Sequence, residues 1–136
     1  MNTPRNLSKG QKTAARREKI KLFREANEEE LKAIRSKIRQ SRGEGVELEI
    51  VYVEPVDACI VLASPDVDTV QHYVKSLRDD DLTHEASRDF VANCTVYPNF
   101  DTVMGYMEKK PLVVSGLANK CSELGGRMEE VESEKL

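Results

Sequence analysis

Three cysteines, two histidines and a run of three aspartates are the residues of this 136-residue chain whose types could support chemistry. A cysteine becomes a nucleophile when a neighbouring base or cation draws off its proton. Cys59, Cys94 and Cys121 stand far apart among apolar neighbours, and no sequence signature supplies a base for any of them. They read as reduced thiols that fill a core as small hydrophobes. Zinc would need a Cys-x-x-Cys or His-x-x-x-His pair, and the chain has neither. His72 and His84 are twelve positions apart, which is not a chelating interval within one helix. Asp79-Asp80-Asp81 looks like the start of a calcium loop. Such a loop needs Gly at its sixth position and Glu at its twelfth, where this sequence has His84 and Phe90. The triplet reads as a solvated link with an acid that caps the next helix. No phosphate loop, catalytic triad or carboxylate pair can be drawn. The expectation is a non-enzymatic protein without metal or cofactor.

Organisation and charge must therefore carry the function. The apolar share is 39% and the charged share 33%, enough for one small domain with an appendage. With no Trp and only seven Phe and Tyr, its core must be mainly aliphatic. No apolar run approaches the ~20 residues that span a bilayer, so no membrane partner is expected. Met1-Asn2-Thr3-Pro4-Arg5 has no apolar segment behind it, which predicts synthesis in the cytosol.

The net charge of −3 conceals a division: residues 1–42 hold 13 Lys and Arg against 5 Glu, and residues 43–136 hold 8 basic against 19 acidic residues. A basic arm on an acidic body is implied. From about Gln11 to Ser41 the arm lacks Gly and Pro and is rich in helix formers. Ile20, Phe23, Leu31, Ile34 and Ile38 give it one narrow apolar stripe, with Asn27 in the gap where another apolar residue would extend it. Residues before Ile20, with Lys9, Lys12, Arg16, Arg17 and Lys19 among them, have almost nothing to bury, and residues 1 to about 10 are expected to be disordered. The candidate partner-binding residues are Leu31, Ile34 and Ile38 by burial, and Arg16, Arg17, Lys19, Lys21 and Arg24 by charge. Three readings stay open: a helix pairing with the acidic body in cis or in another copy, a helix docking on a second protein, and a contact to nucleic acid. Against the last, no aromatic residues interleave the basic ones as a stacking platform requires.

In the body, Gly43-Glu44-Gly45 breaks the helix. Val46, Leu48, Ile50 and Tyr52 then alternate with Glu47, Glu49, Val51 and Val53, a strand period of two. Glu54-Pro55-Val56-Asp57 is a turn, and 58–63 is a second short apolar run, so the pair predicts a β-hairpin. Ser64-Pro65-Asp66 starts a helix, with Ser64 as cap and Val67, Val70, Tyr73, Val74 and Leu77 at helical spacing. Leu82, Ala86, Phe90 and Cys94 mark the next helix, which Pro98 stops near 95–96. Asn99 caps a third, with Phe100, Val103, Tyr106 and Met107 inward. Pro111 starts a fourth with Leu112, Val113, Leu117, Cys121 and Leu124, ended by Gly125-Gly126. The predicted core includes Phe90, Cys94, Tyr97, Val103 and Leu117.

Three stretches, "CIVLASPDVDTVQHYV", "ASRDFVANCTVYPNFDTV" and "KKPLVVSGLANKCSELGG", together resemble small proteins from the tail-gene clusters of tailed bacteriophages. These are the tail assembly chaperones and tail accessory proteins. The resemblance runs from about Ile60 to Gly126: a strand, a Pro-started helix, a Phe-x-x-x-Cys-x-Val-Tyr-Pro corner, a short helix and a Pro-initiated helix ending in glycine. It implies a non-enzymatic phage protein, made in the host cytoplasm, that binds tail components before or during virion assembly. The arm before Gly43 and the tail after Gly126 are not part of the match, so their roles do not carry over. Alternatives are a structural virion component anchored by the basic arm, and a small nucleic-acid-binding regulator.

The fold expected is α+β and mainly α: a basic helical arm (1–42), a body (43–126) of one short hairpin and about four short helices, and a charged tail (127–136).

Overall fold

The computed structural model describes residues 8–78, 83–126 and 135, and in it the expected α+β, mainly helical class holds. The arm begins with α1 (Lys9–Ala26), two residues inside the stretch expected to be disordered. Ser8 and Gln11 explain the early start. The Ser8 hydroxyl accepts from the Gln11 amide at 3.2 Å, and the Ser8 amide donates to Gln11 Oε1 at 2.9 Å, a reciprocal cap on the first turn. Residues 1–7 lie outside the described part.

Helix α1 does not run straight into α2 (Glu28–Arg42). Between them sits Asn27, whose backbone amide (3.1 Å) and side-chain Nδ2 (2.9 Å) both donate to the Phe23 carbonyl. A side chain that competes for a backbone acceptor bends a helix, and the ladder resumes at once with Leu31 N donating to Asn27 O at 2.9 Å. The arm is thus one helix with a bend. Glu28, Glu29 and Glu30 suit the positive end of α2, and Gly43, at φ 95°, ends it where a side chain would be strained.

Strands β1 (Leu48–Val53) and β2 (Ala58–Ala63) form the expected hairpin, joined by a short 3-10 turn at Glu54–Val56 and by Asp57 in the left-handed region. Their register pairs Leu48 with Ala63 and Val53 with Ala58. A third strand was not expected. β3 (Thr95–Tyr97) pairs antiparallel with β2 and makes the order β1-β2-β3. The proline after Tyr97 that stops the preceding helix also keeps this β-branched and aromatic triplet extended, so the helix-to-helix corner is a strand.

Four helices follow the hairpin: α3 (Val67–Ser76), α4 (Thr83–Cys94), α5 (Phe100–Lys109) and α6 (Val113–Leu124). Asn99 caps α5 as expected, accepting from Thr102 N at 2.9 Å. Ser64 does not cap α3. It closes the hairpin instead, donating its amide to Glu47 O and accepting from Glu47 N, and Asp66 caps α3 by accepting from Thr69 N at 2.7 Å. Leu112, expected on the last helix, precedes α6 and is 89% exposed; Phe100 is exposed against the inward placement expected, and Val67, Val74 and Leu77 of the α3 stripe are exposed as well. Asp79–Asp81 and Leu82 lie outside the described residues.

The two faces of the sheet are covered differently. Val53, Ile60 and Leu62 on the inner face join Phe90, Cys94, Val103, Met107, Leu117 and Cys121 in the core. Tyr73 stacks on Phe90 with ring centroids 4.1 Å apart. Four of the five predicted core residues are buried there. Tyr97 is half-buried and stands on the other face. A β-bulge between Val61 and Leu62 sets it opposite Val61, which alternation assigns to the outer side. That outer face is where the arm lies.

Candidate interaction site

Side chains at successive positions of a strand alternate between faces, so Leu48, Ile50 and Tyr52 share the outer face with Cys59, Val61 and Tyr97. Helix α1 crosses it. Arg16 Nη2 is 2.7 Å from Glu54 Oε2 at the hairpin tip, and Lys19 Nζ is 3.1 Å from Asp57 Oδ1. The Cys59 thiol points to the Lys19 carbonyl at 3.9 Å. One turn on, Phe23 packs against Tyr97 with centroids 5.8 Å apart and planes at 57°. The Tyr97 hydroxyl donates to Asn27 Oδ1 at 3.1 Å. Asn27 therefore bends the arm and latches the bend to β3. From Arg16 to Asn27 the arm lies on the body, where Ile20 and Phe23 find apolar partners on a sheet face that would otherwise be bare. The cis reading of its charge agrees with the Arg16 and Lys19 pairs.

The electrostatics at the hairpin tip are coupled. Tyr52 donates to Asp57 Oδ1 at 2.6 Å, and this bond, followed by the Lys19 ammonium, holds the Asp57 carboxyl below its ordinary range. The same bond, with burial and the Asp57 charge, pushes the Tyr52 phenol up to about 12. Tyr97 is also held up, by the carboxylate of Glu30 in the first turn of α2. A hydrogen bond with the adjacent Cys94 sulfur and burial push the Cys121 thiol up, the same bond from Cys121 holds the Cys94 thiol below its ordinary range, and burial pushes Cys59 up. No group of three metal-ligating side chains occurs among the described residues. No helix among them is long and apolar enough to cross a membrane.

Beyond Asn27 the arm leaves an open cleft of about 1030 Å³ against the sheet and the start of β1. Ile20, Leu31 and Ile34 line its arm side, and Leu48, Ile50 and Val61 its floor. Leu31, Ile34 and Ile38 are only half-buried, so the apolar stripe of α2 is not consumed by the fold. Arg24, Lys32, Arg35 and Arg39 stand along the same wall. Of these Lys32 pairs with Glu28 at 3.4 Å, while Arg24, Arg35 and Arg39 form no ion pair with a described residue. On the opposite wall, Glu49 is taken by Lys120 at 2.7 Å, which leaves Glu44 and Glu47.

The predicted partner-binding residues thus divide into two groups. Arg16 and Lys19 are engaged at the hairpin tip, whereas Arg24, Leu31 and Ile34 meet in the cleft. Arg17 and Lys21 are exposed on α1 without an ion pair to a described residue, and Ile38 lies on the stripe outside the cleft lining. Asn27, Tyr97 and the floor residues of β1 were not among the predicted site residues. The one sequence signal for Asn27 was its position, a polar residue interrupting an apolar stripe. Comparison with protein-family models, with curated proteins and with solved structures finds no match.

Proposed function

We propose that this protein is a non-enzymatic assembly factor of tailed bacteriophages. In this reading it works in the host cytoplasm and holds a tail component in the cleft between α2 and β1 before or during virion assembly. The phage assignment rests on the resemblance over Ile60–Gly126. The binding role is carried by one observation: the arm presents a half-buried apolar stripe, and cations with no ion pair to a described residue, to an open cleft. A helix folded only to cover the sheet would bury the stripe fully and would gain nothing from like charges along its wall. Apolar anchors ringed by charge are the composition of a protein-binding surface.

The test uses phage-infected cells producing either the wild type or the Leu31→Asp, Ile34→Asp variant. A tail protein should co-purify with the first and be lost with the second, and mass spectrometry of purified particles should find no copy of this chain. A chain present in the particles would make it a structural virion component. Recovery of nucleic acid that salt abolishes and the Asp substitutions leave intact would make the arm a nucleic-acid contact.

A further inference from the structure

We infer that two copies of this chain pair through the cleft, the arm wall of each seated on the β1 wall of the other. The inference concerns the cleft already described, but it stands whether or not a tail component binds there.

The two walls of the cleft carry opposite charge. On the arm wall stand Arg24, Lys32, Arg35 and Arg39 with one acid, Glu28. On the wall that leads into β1 stand Glu44, Glu47 and Glu49, and no cation lines the cleft on that side. Lys32 is matched by Glu28 on its own helix, and Glu49 by Lys120. This leaves Arg24, Arg35 and Arg39 facing Glu44 and Glu47, and none of the five has an ion pair to a described residue. The four cations and four acids of the lining cancel, so the cleft as a whole selects neither an acidic nor a basic partner. Its apolar residues are shared between the walls: Leu31 and Ile34 belong to the arm, and Val46, Leu48 and Ile50 to the other side. The walls are thus opposite in charge and alike in apolar content. Within one copy an open volume of about 1030 Å³ keeps them from satisfying each other.

A two-fold axis turns that arrangement into an interface. In an isologous contact, where one patch meets a second patch on the other copy, the second also meets the first. Two clefts turned face to face set the arm cations of each copy at Glu44 and Glu47 of the other. Leu31 and Ile34 then lie against Leu48 and Ile50, and every contact is made twice. A partner of one sign would satisfy one wall and be repelled by the other. Seventeen residues line the cleft, somewhat fewer than the roughly 20–30 a side of a stable interface, which sets the pairing in the micromolar range. Pairing of that strength shields the apolar walls from water and yields to a tighter partner.

Sedimentation of the full-length protein across the micromolar range is the test. It should show a monomer–dimer equilibrium that salt weakens. Two variants probe the walls separately: Arg35→Glu, Arg39→Glu on the arm, and Glu44→Arg, Glu47→Arg before β1. All four side chains are exposed, so both variants should melt close to the parent. Each alone should dimerise about tenfold or more weakly, because like charges then meet at both contacts. Mixed in equal amounts, the two should pair again: the reversed arm of one meets the reversed β1 wall of the other, and the second contact is wild type. Arms packed on arms, or a contact elsewhere, would not be rescued in this way. A protein monomeric throughout the range, a dimer that neither variant weakens, or a mixture that stays monomeric overturns the proposal. If the chain is monomeric and a tail protein is still lost with Leu31→Asp, Ile34→Asp, the pairing falls and the binding role stands. A dimer rescued by mixing, with no tail protein recovered, upholds the pairing and removes the binding role.

Discussion

Phe23→Ala should release the arm without unfolding the body, and Cys59 reports the difference. Phe23 is half-buried, so its burial contributes roughly half of the 1.5–3 kcal/mol of a fully buried side chain. Its tilted contact with Tyr97 adds about 0.5–1.5 kcal/mol. Removing both should cost the closed arm about 2 kcal/mol, which raises the population of the open form about 30-fold. Cys59 sits under α1 with its thiol toward the Lys19 carbonyl, whereas Cys94 and Cys121 are wholly enclosed in the core. A bulky maleimide, with the labelled site identified by mass spectrometry, should therefore modify Cys59 faster in the variant. The increase should approach 30-fold from below, because the half-buried thiol already reacts at a finite rate with the arm closed. Cys94 and Cys121 should stay unmodified. An unchanged Cys59 rate would refute the docking of α1 on the sheet. A parallel rise at all three thiols would refute the independence of arm and body, since it would mean that the arm opens only when everything does.

Phe90→Ala empties a core site stacked on Tyr73 and should cost about 3–5 kcal/mol, a fall in melting temperature on the order of 10–20 °C that calorimetry can read. The Tyr52–Asp57–Lys19 group makes stability depend on pH at both extremes. Tyr52 has a raised pKa, so its contribution is whole below the ordinary tyrosine value of about 10 and is lost as pH rises through about 12. Asp57 has a lowered pKa, so its contribution is present above the ordinary carboxylate range and is lost as pH falls through the folded value. Phenolate absorbance should show Tyr52 ionising near 12, and Asp57→Asn should return it toward the ordinary value; a titration unchanged by that substitution would remove the hydrogen bond as the cause.

What could be read from the sequence was what local chemistry decides. The Gly43 stop, the period-two strand of β1, the Asn99 cap and the core face of α4 each follow from a handful of adjacent residues. The rest depended on contacts between distant residues. Thr95–Tyr97 is a strand because β2 is there to pair with, more than thirty positions earlier. Ser64 has the chemistry of a helix cap, but Glu47 competes for it across the hairpin and wins, and Asp66 can serve in its place. The arm's apolar stripe is too narrow to form a core of its own, and nothing in the arm shows that a sheet has a second face for it to cover. Ile20 and Phe23 needed only a second, smaller apolar surface, and Arg16 reaches its partner Glu54 across 38 positions. For the site, residue type identified Leu31, Ile34 and Arg24. Nothing local could show that β1 would be left at the edge of the sheet.

The energetics of the arm separate its two halves. Helix α1 from Arg16 onward is fastened by Ile20, Phe23, two ion pairs and the Asn27–Tyr97 hydrogen bond, although the exposed ion pairs add at most about 1 kcal/mol each. Helix α2 has a half-buried stripe and a wall on which Lys32, Arg35 and Arg39 repel one another at three- and four-residue spacing. Each such like-charge pair costs a few tenths of a kcal/mol, and of the three only Lys32 has an ion pair to a described residue, Glu28. A partner seated on the stripe in the cleft would bury Leu31 and Ile34 against the arm, so the occupant favours the closed arm. The linkage is reciprocal: closing the arm must favour the occupant by the same free energy. A substitution that loosens α1 far from the cleft, at Phe23 or at the Asn27 bend, should therefore weaken partner binding although it touches no partner.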